Sequence, residues 1–163
     1  MITRWLFFMG IMTLTSFVNS ETVYYPNSKI PMFSIQIPNA WTIELEEDVL
    51  YASTYDDSLT LVLWTLYDID NMEQAIDSLD MLIIDLIPEM LSMKKTPLEM
   101  KDWPVHAVKG SGFNHNEEIV HTSMVIFGIE DESFFIVTTF GSPDLFDENY
   151  PMIRHIIQSI KPE

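Results

Sequence analysis

The 163 residues carry 25 acidic side chains against 8 Lys and Arg, a formal net charge of −17, and no cysteine. That balance disfavours nucleic acid and anionic membrane surfaces, whose phosphates are held by clustered Lys and Arg. The missing thiols exclude disulfide staples and an acylated lipoprotein cysteine, so stability has to come from a hydrophobic core, for which one domain of this length suffices.

Residues 1–20 have the order of a cleavable secretory signal peptide. Arg4 precedes the apolar run Trp5-Leu6-Phe7-Phe8-Met9-Gly10-Ile11-Met12, Leu14, Phe17 and Val18 extend it, and Val18-Asn19-Ser20 places a small residue before Glu21. The apolar stretch is only about 14 residues and is interrupted by Thr13, Thr15 and Ser16, against about 20 needed to span a bilayer. Cleavage after Ser20 would leave residues 21–163 as a single exported domain, periplasmic or extracellular, with no stable membrane anchor.

After a polar lead-in, Met32-Phe33-Ser34-Ile35-Gln36-Ile37 alternates as a half-buried strand and Pro38-Asn39-Ala40 turns it. Trp41, Ile43 and Leu45 mark a second strand ending at Glu46-Glu47-Asp48, and residues 49–54 a third ending at Asp56-Asp57-Ser58. Residues 59–67 are apolar at both parities, with Leu61, Leu63 and Tyr67 on one side and Val62, Trp64 and Leu66 on the other. A strand of that kind is covered on both faces.

Asp70, three residues before Glu73, is the expected cap of a long central helix whose apolar stripe is Ala75, Ile76, Leu79, Ile83, Leu86, Ile87 and Met90. Pro88 should kink it or end its regular part. Strands follow over 103–113, 118–129 and 133–140, with turns at 114–116 and 130–132. Ser142-Pro143-Asp144 stops the meander, and Tyr150, Ile153, Ile156, Ile157 and Ile160 describe a closing helix with Pro151 in its first turn. The fold class is α+β, an antiparallel sheet of about six strands flanked by the central helix and the C-terminal helix.

The segment Phe33-Ser34-Ile35-Gln36-Ile37-Pro38-Asn39-Ala40-Trp41, the acidic strand-turn-strand after it, the central helix, the late meander and the closing Ile156-Ile157-Gln158-Ser159-Ile160 resemble the PsbP-like, DcrB-like superfamily over nearly all of residues 21–163. The resemblance implies a single antiparallel sheet between helices in proteins that bind or assemble with other macromolecules. Known roles range from a photosystem II extrinsic subunit to a Ran-binding import factor to bacterial envelope proteins, with no shared catalytic set.

Candidate chemistry is sparse. His115, Glu117 and His121 share strand parity, but the two histidines would lie about 20 Å apart at about 3.3 Å per residue, too far for one ion with ligands at about 2 Å. Asp68-Ile69-Asp70-Asn71-Met72-Glu73 resembles the start of a calcium loop without its glycine or its final glutamate. Gly110-Ser111-Gly112 sits in a strand pattern, where glycines mark a bulge or a close backbone approach rather than a nucleophile elbow. His106 and His155 have no partner motif.

These readings assign no catalytic, cofactor or metal residue. They point to a non-enzymatic accessory module acting through a protein partner, with Met90, Leu91, Met93, Leu98, Met100 and Trp103, around the proline break, as the partner surface. A small-molecule or divalent-cation binder using the acidic loops is the alternative, and a small hydrolase pairing Glu or Asp with His ranks below it.

Overall fold

The computed structural model describes residues 19–129 and 133–163. The apolar segment 1–18 and the turn 130–132 lie outside the described residues. In chain order the elements are β1 (Ser20–Tyr25), β2 (Phe33–Pro38), β3 (Thr42–Glu46), β4 (Val49–Ser53), β5 (Leu59–Leu66), α1 (Met72–Leu86), β6 (Glu89–Lys95), β7 (Val105–Phe113), β8 (Ile119–Ile129), β9 (Ser133–Gly141), α2 (Pro143–Gln158) and β10 (Lys161–Pro162). A 7-stranded antiparallel sheet runs β3-β4-β5-β9-β8-β7-β6, and a 3-stranded one runs β1-β2-β10. The α+β class and the two flanking helices stand as expected, with a main sheet close to the expected size.

The period of two divides the large sheet into two cores. Leu61 and Leu63 on β5, Val125 and Phe127 on β8, and Phe135 and Val137 on β9 face the small sheet and α2, meeting Phe33, Ile35 and Ile37 and then Phe146, Ile153, Ile156 and Ile157. The intervening Leu66, Met124, Ile126, Phe134 and Ile136 face α1 through Ala75, Leu79 and Ile83. The strand apolar at both parities is therefore sandwiched, although Tyr67 falls beyond β5 and is exposed.

Phe33 is the centre of the first core. Its ring stacks on Tyr25 at 4.9 Å and meets Phe135, Phe127 and Trp103 edge-on at 5.1, 5.5 and 5.9 Å. The two chain-end motifs also meet: Ser159 Oγ accepts a hydrogen bond from the Gln36 amide at 2.9 Å and donates to the Ile156 carbonyl at 2.6 Å, while Ile156, Ile157 and Ile160 are buried. One hydroxyl thus fastens the end of α2 to β2, which accounts for a serine between isoleucines.

Tyr25 is fully buried, and its hydroxyl donates to the Asp48 carbonyl and meets Thr65 Oγ1 at 2.9 Å. Burial pushes its phenol from 10.0 up to about 12. The unfolded chain releases this proton first as pH rises, so the native state holds more protons and stability falls with pH through that interval. Denaturation midpoints measured from pH 9 upward should drop more steeply for the native protein than for Tyr25→Phe; parallel profiles would contradict the assignment.

Several local expectations change. The cap of α1 is Asn71 rather than Asp70: its side chain accepts from the Gln74 amide at 3.0 Å, and Gln74 Oε1 reaches back to the Asp70 amide at 2.8 Å. The helix ends at Leu86 just before Pro88, and Met90, expected on the helical stripe, lies in an additional strand instead. That strand escapes a period-two reading because a bulge between Met90 and Ser92 shifts its register. Helix α2 opens at Pro143, where a missing amide proton is harmless, and Pro151 sits inside it rather than in its first turn. Pro151 is exposed.

Candidate functional site

Strand β6 closes one edge of the large sheet and, among the described residues, pairs on one side only, with β7. Every residue of it but Met90 is exposed. Gly110 and Gly112 on β7 let it lie this close: a Cβ on Gly110 would stand 2.4 Å from the Ser92 carbonyl oxygen, and one on Gly112 2.5 Å from that of Glu89. The close backbone approach expected of Gly110-Ser111-Gly112 is thus what these glycines serve.

The six residues expected to form a partner surface separate into two groups. Leu91 and Met93 remain on the surface of β6, 54% and 40% exposed. Met90 packs against the α1 core, while Leu98, Met100 and Trp103 pack against the Phe33 core, with Trp103 stacked on Phe127 at 5.3 Å. An isolated bridge between Met100 and Trp103 folds that connection back on itself.

Beside β6, on the face that carries α2, lies an open cleft of about 350 Å³ lined by Ser92, Lys94, Lys109, Ser111, His121 and Asp147 among others. Register creates it. Lys94 stands directly across from Lys109, and Ser92 across from Ser111, which is in turn across from His121 on β8. Asp147 reaches in from α2 and holds Lys109 Nζ at 2.9 Å, with its other oxygen 3.3 Å from His121 Nδ1. The Lys109 ammonium also lies over the Tyr150 and Phe146 rings, at 4.2 and 5.2 Å from their centroids. That ammonium holds the Asp147 carboxyl below its ordinary value of 3.8. His121 Nδ1 is buried, with this carboxylate oxygen beside it.

The cluster was not legible in the sequence, because Asp147 reaches Lys109 and His121 only through the path of α2 across the sheet. Lys109 and Ser111 at alternate positions of β7 were the available signal.

The other polar candidates stay apart. His115 and Glu117 belong to the β7–β8 turn, organised by Asn114 Oδ1 accepting from the Asn116 and Glu118 amides at 2.9 and 3.0 Å, whereas His121 lies within β8 beside Asp147. Among the described residues no three His, Asp or Glu are placed to hold one metal ion. In the calcium-like segment the Asp70 amide and Asn71 side chain serve the start of α1. His155 is exposed on α2, and His106 lies on the α1 face, where burial and then the charge of Lys95 lower its pKa.

No family model and no curated protein sequence matches the chain. Solved structures do. Cyanobacterial PsbP from Synechocystis aligns with a TM-score of 0.59 at 9% identity, covering 95% of this chain and 99% of that one. The Ran-binding protein Mog1p of Saccharomyces cerevisiae aligns at 0.56 and 8%, covering 89% and 96%. LpqN of Mycobacterium tuberculosis, described as involved in cell envelope biogenesis, aligns at 0.56 and 13%, covering 88% and 91%. At such identities the likeness is one of fold, and it extends over 88% to 95% of this chain. The chain therefore shares the fold of cyanobacterial PsbP, Mog1p and LpqN.

Proposed function

We propose that the protein is an exported accessory module that works by binding a protein partner rather than by catalysis, and that the β6 edge is its contact surface. The observation that carries this reading is a free sheet edge bearing two exposed apolar side chains, Leu91 and Met93, next to Lys94 and Lys95. Main-chain groups on such an edge are available to an added strand, and the side chains supply selectivity. The bulge and the lysines blunt indiscriminate pairing. A second copy joined β6 to β6 would bring lysines together, so the partner is a different molecule or a different surface.

The fold neighbours support the non-catalytic reading, since one binds Ran and another is tied to envelope biogenesis. Export rests on residues 1–20, and mass spectrometry of the protein secreted by its source cells should find Glu21 as the first residue. For the contact surface, a photo-cross-linking residue at Leu91 should give a discrete adduct in those cells, and the same residue at exposed Tyr55, in the β4–β5 turn, should not. Adducts at Tyr55 alone would refute the surface.

A further inference from the structure

We propose that the cleft between β6, β7 and α2 seats a carboxylate of an acidic segment of the partner protein, lying extended along β6. This rests on the β6 edge being the contact surface and adds the chemistry of what it contacts. The protein is strongly acidic, yet Lys94, Lys95 and Lys109, three of its six lysines, converge on this edge. The opposite edge, β3, carries Glu44 and Glu46, both exposed. The two edges of one sheet are thus charged with opposite sign.

Lys94 and Lys109 are direct cross-strand partners on one face, an arrangement in which like charges destabilise the pair. Asp147 neutralises Lys109 only, at 2.9 Å, and Lys94 has no ion pair among the described residues. The seat therefore carries one uncompensated ammonium. Ser92 and Ser111 share a hydrogen bond at 3.0 Å, which leaves one hydroxyl of the pair as a donor beside it. An incoming carboxylate would meet the Lys94 ammonium and that hydroxyl without breaking the Lys109–Asp147 pair. Met93, across from Gly110, puts exposed apolar surface on the other face of the same edge, which suits an extended segment alternating acidic and apolar residues. The overall negative charge of the protein is screened beyond about 8–10 Å at physiological salt, so the local lysines govern the contact.

The test uses fluorescence anisotropy of the full domain with a short labelled peptide alternating Glu and Val, and with the same peptide carrying Gln for Glu. Saturable binding of the Glu peptide, and weaker binding of the Gln peptide, is expected. Lys94→Glu should weaken it about tenfold, as reversal of a contacting charge does. Lys29→Glu makes the same change in net charge in the connection between β1 and β2, away from the residues that line the cleft, so it should change binding by less than about threefold. Equal losses in the two variants, or equal binding of the two peptides, would overturn the seat. So would salt-sensitive self-association of the protein through its own acidic β3 edge. Because the Leu91 cross-link does not depend on charge, its retention alongside a failed peptide test would overturn this inference alone.

Discussion

Phe33→Ala is expected to lower the unfolding free energy by about 3–5 kcal/mol, the range for removing a buried aromatic ring and leaving a cavity. Phe33 is fully buried and touches four other rings, from β1, β8, β9 and the connection that holds Trp103. A domain of this kind has about 5–15 kcal/mol in total. With no disulfide to limit the unfolded ensemble, the variant should sit close to its folding threshold. Urea denaturation followed by tryptophan emission reads this directly, because Trp103 is itself in the cluster. Phe33→Leu should recover part of the loss by refilling the volume. A loss below about 1 kcal/mol for Phe33→Ala would mean that the small sheet can reclose over the gap.

Gly112→Ala should cost about 1–3 kcal/mol, the usual penalty for forcing atoms into a filled site, and the damage should be local. The added methyl would stand 2.4 Å from Ile87 Cγ2, 2.5 Å from the Glu89 carbonyl oxygen and 3.1 Å from Met90 Cα. Two of these are backbone atoms, so relief requires β6 to move away from β7. Hydrogen exchange should show residues 89–95 losing protection while β8 and β9, at the centre of the sheet, keep theirs. The same substitution should abolish the Leu91 cross-link, since a displaced edge presents neither its backbone nor its lysines. Uniform loss of protection across the sheet would instead assign Gly112 to the global fold.

Most of the architecture is legible in residue order alone, and the reasons are local. Phe33, Ile35 and Ile37 alternate because one side of β2 faces the core. Residues 59–66 are apolar at both parities because β5 is covered by α1 on one side and by α2 with the small sheet on the other. Where local signals fail, a specific feature interferes. The bulge at Leu91 erases the alternation of β6. Met90 falls in step with the helical stripe although Pro88 has already ended the helix. Pro143 resembles a stop signal for the preceding strand and equally suits the first turn of α2. Strands β1 and β10 have too little apolar pattern to be read, since each depends on β2 for its register.

The candidate site is legible only in part. Leu91 and Met93 stay on the surface, whereas Met100 and Trp103 are drawn into the Phe33 core by partners on β2 and β8 that no local pattern names. Lys94, Lys109, His121 and Asp147 come from four elements, and the distance between them in the chain carries no trace of their meeting.

What the sequence determines by itself is the class of fold, the two-sided strands, the lack of covalent staples and the acidic balance, because each follows from composition or from a period along the chain. The tertiary structure alone decides which apolar residues are left for a partner and where the few lysines gather. Those outcomes depend on strand order and register, which are properties of pairs of segments rather than of either segment.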